Sequence, residues 1–405
     1  MQKIIAQKNS SKLGSLLARS SALLSAEANF FCSRLTKMIL FTLSLFLFAS
    51  CVAHYSNHAV IEGYDTGNRN NGEGLAIKSF RMLPLEALPE CMLGNPSKVE
   101  VLDSLIFIHD NNSLHVFDTN GKFLNHIGRR GNGHSEYINL SSFCIDKEGY
   151  VLLIDSYKSN ILKYTYSGSF VEQVNIPEGV LANVQNAALI GRDSLFISEY
   201  LYNASHILYS IIDLNSGTKT IVADTPLQTA NTMESVGVHS FSQYNGKIRY
   251  IKPLDNVIYS LTSNDEFEIS TTQQVFSEKE LSEIKDFSIN TYATNMANNI
   301  FCGFSDIFET EKYIILSLKN LEYTVIDKQL STCRRYSYKI DSEDTNLPLY
   351  EIACSNSNIL VGILTPVEIQ HLKENAKNSL VSRAINRLNV SDILSTNCIV
   401  IFYET

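Results

Sequence analysis

The sequence contains no tryptophan, so the widest flat ring for stacking a sugar is missing and only its 20 tyrosines can stand in. Basic residues are in deficit: 33 Lys and Arg against 42 Asp and Glu leave a net charge of −9. That balance lacks the electrostatic footprint of a nucleic-acid binder. Charged residues are 19% and hydrophobic residues 44%, which excludes a disordered or collagen-like chain. Signatures of chemistry are scarce as well. There is no C-x-x-C and no H-E-x-x-H, so spacing supports no zinc site. There is no G-x-S-x-G nucleophile elbow.

What is present begins with an address. Residues Met38 to Cys51 form an uncharged apolar run preceded by Arg34 and Lys37. The run is short for a transmembrane helix and has the charged start and apolar middle of a signal peptide. It ends Leu47-Phe48-Ala49-Ser50-Cys51, and small residues before a cysteine resemble the lipobox of bacterial lipoproteins. The expectation is a signal peptide over 1–50, with Met38 as a second candidate start, and Cys51 as the lipidation site. Removing 1–50 takes away six basic residues and one acidic residue, moving the net charge to −14. An anionic membrane surface repels such a body, so the lipid must hold it. The expected location is the cell envelope, lipid-anchored at the outer membrane. Val52 to Asn57 lacks an acidic run of the kind that resembles a surface-export signal, which favours periplasmic facing. Residues 51–74, polar and rich in Gly and Asn, read as a flexible tether.

Eight cysteines occur: one in the signal region, Cys51, and six in the body. An exported setting permits disulfides, but no pairing follows from the spacing. Cys144, Cys354 and Cys398 lie in strand-like apolar runs and read as small buried hydrophobes.

Residues 75–405 repeat. A polar or glycine turn followed by a short apolar strand recurs at Asp103–His109, Gly149–Asp155, Asp193–Ser198, Lys247–Ile251, Lys312–Ser317 and Asn358–Gly362. Corresponding residues Phe107, Leu152, Phe196, Tyr250, Ile314 and Ile359 are 45, 44, 54, 64 and 45 apart. Most are followed by a second strand with an Asp-x-x-Gly type turn, as at Asp118 to Gly121. A period of roughly 40–60 residues built from short strands signals an all-β propeller, here with six blades and short helical insertions. Ser277 to Glu280 is a capping box opening one insertion, and Thr365-Pro366-Val367-Glu368 opens another, expected to run to about Asn389. Ring closure is expected from the terminal strand Cys398–Tyr403, with 75–81 as the strand at the other end.

One segment concentrates chemistry: Gly128-Arg129-Arg130-Gly131-Asn132-Gly133-His134-Ser135-Glu136-Tyr137. It lacks the Gly-Lys-Ser/Thr ending of a P-loop, and Glu136 falls where a dinucleotide fingerprint has glycine. A carboxylate there repels a pyrophosphate. Arg129, Arg130, His134, Glu136 and Tyr137 are the candidate ligand-binding residues, two guanidinium groups suiting a planar anion. The alternative is a blade connection locked by an Arg–Glu pair. His109, His126 and His134 are the histidines that propeller loops would gather on one face, but their spacing carries no metal signature.

The chain resembles the six-bladed β-propeller lipoproteins of Bacteroidetes, relatives of NHL-repeat propellers. Phe117 to Leu124 matches the family's F-D-x-x-G-K-F, and Ile127 to Tyr137 matches I-G-x-x-G-x-G-P-G-E-Y, with His134 in place of Pro and Ser135 in place of Gly. Pro253 to Tyr259 resembles P-L-x-D-T-I-Y, and Asn397 to Ile401 resembles N-P-V-L-V with Cys398 in place of Pro. The resemblance implies fold and compartment rather than activity. Two classes of function follow: a non-catalytic binding or scaffold module presenting a protein, peptide or glycan site at the central channel, or a hydrolase or lyase using the same channel. No cofactor, metal or nucleic-acid partner is expected. The membrane partner is reached through the N-terminal lipid.

Overall fold

In the computed structural model, the described residues are 57–65, 75, 78–200, 206–227, 239–261, 265–284, 294–318, 322–337, 352–356, 358–375, 380–388 and 396–405. The signal segment and Cys51 lie outside them. The chain divides into two units, Met1–Ser56 and Asn57–Thr405, and the second is a six-bladed β-propeller.

Six sheets account for its strands, antiparallel except for one added strand on the fourth blade. Blade 1 spans 96–126, blade 2 140–175, blade 3 184–224, blade 4 241–269 and blade 5 306–337. Blade 6 is assembled from both ends of the chain. Ile352–Asn356, Ile359–Leu364 and Ile399–Glu404 are its first three strands, and Ser79–Pro84 is its fourth. The repeat units legible in the sequence all fall on one position, the second strand of each blade. These are Leu105–Asp110, Tyr150–Asp155, Ser194–Glu199, Lys247–Ile251, Tyr313–Leu318 and Ile359–Leu364. Such strands are covered on both faces by neighbouring blades, which requires a continuous apolar run rather than alternation. Ile106, Phe107 and Ile108 are accordingly all buried.

Each gap between blades is one hydrophobic cluster. Phe107 and Val116 meet Phe143 and Leu153 between blades 1 and 2. Ile154 meets Leu195 and Ile197 between 2 and 3. Phe196 and Tyr209 meet Phe241 and Tyr250 between 3 and 4. Ile251 meets Ile307 and Ile314 between 4 and 5. Phe308 and Tyr323 meet Leu360 and Tyr403 between 5 and 6. Val361 and Val400 meet Ile106 and Phe117 between 6 and 1, so the ring is closed. With about 1.5–3 kcal/mol per large apolar side chain buried, these six seams are the main source of stability.

The closing strand is shifted from 75–81 to Ser79–Pro84. Leu75 is instead drawn into the seam between blades 5 and 6, its N–H donating to the Tyr323 hydroxyl at 3.3 Å. Met82 and Leu83 then register against Ile401 and Val400. Asn397 fastens the junction: it accepts from Leu93 N at 3.1 Å and donates to the carbonyls of Glu86 and Cys91 at 2.9 and 2.8 Å.

Part of the expected tether is ordered. Asn57–Ile61 is a fifth strand on blade 4, parallel to Asp265–Ile269. The chain then bridges to blade 5, where Cys333 N donates to Glu62 O at 2.9 Å. Ile61 and Tyr64 bury themselves between the two blades, Tyr64 edge-on to Phe301 and Phe304. Apolar anchoring therefore resumes at Ile61, within a stretch whose Gly and Asn content reads as loop.

Both capping boxes form. Glu280 N donates to Ser277 Oγ and Ser277 N to Glu280 Oε2, opening the helix Glu278–Glu283. Thr365 and Glu368 do the same at Pro366–Asn375, and a separate helix follows at Leu380–Arg387. The Asp-x-x-Gly turn is closed by Asp118, whose carboxylate accepts from Asn120 N and Lys122 N, with Gly121 at φ 83°.

Candidate functional site

Propeller topology aims the first strand of every blade at one axis, and a cavity of about 120 Å³ lies there, lined by residues from all six. Lys98, Glu100, Cys144, Asn186, Ser242 and Cys354 bring its polar groups. The inner strand Pro96–Leu102 shows how the sequence achieves this. Val99 and Val101 pack into the seam with blade 6, and the alternate residues Lys98 and Glu100 line the cavity. Lys98 spans the axis: its Nζ donates to Phe143 O of blade 2 at 2.7 Å and to Ala187 O of blade 3 at 2.8 Å. Glu100 Oε1 lies 3.5 Å from that nitrogen. His239 reaches the cavity from the approach to blade 4, its backbone N–H donating to Asp306 Oδ1 at 3.1 Å. Burial pulls the His239 imidazole below its ordinary range, against the pull of Asp306. Burial pushes the Cys144 thiol up to about 12 and that of Cys354 well above its ordinary value.

The loop carrying Arg129, Arg130, His134, Glu136 and Tyr137 links the outer strand of blade 1 to the inner strand of blade 2. Its parts divide between core and solvent. Tyr137 is buried in the seam between blades 1 and 2, and burial raises its phenol. Glu136 turns back into the loop: it accepts from Gly133 N at 2.8 Å and pairs with Arg129 at 2.5 Å. That N–H and the Arg129 charge hold its carboxyl below the usual range. Lys158 donates to the carbonyls of Gly133 and Glu136 at 3.0 and 2.7 Å, and Tyr164 donates to that of Ser135. Gly128 takes φ 68°, in a close approach to Leu153 and Tyr137. The far end is pinned by buried Asp155, which accepts from Ile138 N and Asn139 N at 2.7 and 3.2 Å. His134 lies edge-on to Phe170. The Arg129 side chain is 82% exposed, and Arg130 is also exposed. The structure thus brings Arg129 and Glu136 together and leaves the guanidinium groups as the outward chemistry of the loop.

Two features escaped sequence reasoning. The cavity draws a few residues from each of six segments up to 256 positions apart, and only the Lys98-Val99-Glu100 alternation hints at it. The second is a histidine arrangement in blade 1. His115 and His126 are cross-strand partners with ring centroids 4.6 Å apart. His109, two strand positions from Phe107, is on the opposite face of that sheet, its Nδ1 3.0 Å from Ser97 Oγ. Among the described residues no group of three His, Cys, Asp or Glu side chains is arranged to hold a metal ion. The six described cysteines are all free thiols.

A solved Bacteroides fragilis protein, assigned provisionally to the exported class, superposes with a TM-score of 0.63 at 18% identity, covering 86% of this chain and 99% of that one. A solved member of the DUF4221 family from Bacteroides vulgatus aligns with a TM-score of 0.49 at 10% identity, over 81% and 96% of the two chains. The first likeness supports the six-bladed fold and nothing finer. No curated protein matches the chain. The family model described as a domain of unknown function, DUF4934, matches residues 62–404, nearly the whole propeller, and the chain belongs to that family.

Proposed function

We propose that this protein is an exported, lipid-anchored, non-catalytic binding module whose ligand enters the central channel. The observation that carries the reading is the polar cavity on the axis, where Lys98, Glu100, Asn186 and His239 converge from different blades. The loop with Arg129 and Arg130 crosses the face of the ring on which the inner strands begin, and we assign its exposed guanidinium groups to the outer part of the same site. A non-catalytic role is supported by the state of the candidate nucleophiles. The Cys144 and Cys354 thiols are held protonated by burial. The Ser142 hydroxyl is 3.4 Å from Asn186 Oδ1 and has an amide rather than a base as its partner.

Anchoring rests on Cys51 and the apolar run before it. The test is fractionation of the Cys51→Ser variant in the native host. Release from the membrane, or accumulation of unprocessed precursor, is expected; a variant processed and membrane-bound like the wild type overturns the anchor. The channel is tested by screening peptide and glycan fragments with the wild type and a Lys98→Met, Glu100→Gln variant. Binding that survives in a folded double variant places the site elsewhere.

A further inference from the structure

Lys98 and Glu100 stand two residues apart on the same inner strand and both line the channel, but their hydrogen-bonding capacity is unequal. An ammonium has three N–H donors. Two of those of Lys98 are committed to Phe143 O and Ala187 O at 2.7 and 2.8 Å, and the third has Glu100 as its neighbour at 3.5 Å. The nitrogen also sits 4.9 Å from the centre of the Phe143 ring, and the residue is 4% exposed. An anion entering the channel would have to displace two short bonds before it met this cation. Glu100 is the reverse case. Its side chain is 42% exposed, and its ion-pair contact with Lys98, at 3.5 Å, is longer than a normal charge-assisted hydrogen bond. A carboxylate offers about four lone-pair sites, so acceptor capacity is what the channel has to spare.

Size narrows the ligand further. The cavity of about 120 Å³ is well under the roughly 300–1,000 Å³ typical of drug-sized pockets. Between its polar groups the walls carry Ala188, Leu189, Ile307 and Ala353, against which a short run of methylene groups can lie. The net charge of −9 favours the approach of cations. We infer that the channel takes a slim primary amine, an ammonium at the end of an unbranched chain such as a lysine side chain or an aliphatic diamine, with Glu100 as its counter-ion. Lys98 is then a cross-brace between blades 1, 2 and 3 rather than an anion receptor. The inference rests on the channel being the ligand site proposed above.

The test compares 1,5-diaminopentane with glutarate, which have the same five-carbon length and opposite charge. Each is titrated into the full chain in detergent by calorimetry, with the alanine methyl groups followed by NMR. The diamine is expected to bind and to shift the Ala188 and Ala353 methyl signals, and glutarate to do neither. Glu100→Gln, which keeps the side-chain shape, should weaken the diamine at least tenfold in a variant shown to be folded by near-ultraviolet circular dichroism. Methyl shifts that persist in Glu100→Gln at unaltered affinity overturn the counter-ion role while leaving the channel as the site. Diamine binding without shifts at Ala188 and Ala353 overturns the channel itself. Glutarate binding, or no diamine binding, overturns the assigned ligand class.

Discussion

Arg249 Nε lies 3.0 Å from Glu309 Oε2 across the seam between blades 4 and 5, and both side chains are almost wholly out of water. Lys328 shares the same carboxylate through its other oxygen, also at 3.0 Å, and donates to Thr310 O at 2.7 Å. The Arg249 guanidinium stacks over Phe267. One carboxylate therefore serves two cations in an interior that offers them little else.

Removing that carboxylate is expected to be costly. Glu309→Gln leaves two buried or half-buried cations without their counter-charge, a loss of about 3–5 kcal/mol. Urea unfolding followed by tyrosine fluorescence checks it. A shift in midpoint no larger than that of an exposed Glu172→Gln control would show the seam to be held by its apolar contacts alone.

Acid should loosen blade 1. Burial pulls His109 and His115 down to about 4, with Lys98 adding to the effect at His109 and His126 at His115. The His109 Nε2 and His115 Nδ1 atoms have no hydrogen-bond partner. In the unfolded chain both rings titrate near 6.5. Unfolding therefore takes up protons below that value. The stability that these neutral rings allow is whole above about pH 6.5 and is lost as pH falls toward 4, up to a few kcal/mol in all. Melting temperature measured from pH 7.5 to 4 should fall in that window. His115→Phe should flatten the fall; an equally steep profile in the variant would remove His115 from the account.

Ring closure depends on the last strand. Deleting 397–405 removes Ile399, Val400, Ile401 and Tyr403 from two seams and leaves Ser79–Pro84 without a partner. The loss rivals the stability of an ordinary domain, so the truncated chain is expected to be insoluble or molten by near-ultraviolet circular dichroism. Asn397→Ala is the gentler test. It abolishes three side-chain hydrogen bonds to the Glu86–Leu93 segment and should cost about 1–3 kcal/mol. Wild-type melting of either variant contradicts closure through this junction.

The arginine loop yields the opposite expectation. Arg129 is exposed, and an exposed ion pair contributes about 0–1 kcal/mol. Alanine at Arg129 and Arg130 together should leave the melting temperature within about 2 °C of wild type while weakening a ligand whose own acidic group reaches the loop. A strong drop in melting temperature with unaltered binding by the folded fraction would make the pair a structural lock.

The sequence disclosed what is local. Tyr150–Asp155 and its counterparts are buried on both faces, so each carries a short, mostly apolar run, and the run returns once per blade. The Ser277–Glu280 cap is visible because all its atoms lie within four residues. The channel is not local. Lys98, Asn186 and Ser242 return near the blade period but share no residue type that would mark them, and they meet only because six strands point at one axis. Asn57–Ile61 was hidden for the same reason, since its partner Asp265–Ile269 lies about two hundred residues on. Arg129 and Glu136, seven positions apart, stood between the two cases: the sequence placed them together without deciding between ligand and lock.

Among the described residues Ser79–Pro84 has one strand neighbour, Ile399–Glu404, and this fixes an order of events in time. A chain made at roughly 5–20 residues per second takes on the order of tens of seconds to extend from one of these segments to the other. Throughout that interval the sixth blade cannot be completed, and blade 1 has no seam on its outer side. Whatever intermediate blades assemble first, the ring can become one cooperative body only when the final residues arrive, so the transition state for closure carries contacts of very high sequence separation and folding is slow for the protein's size.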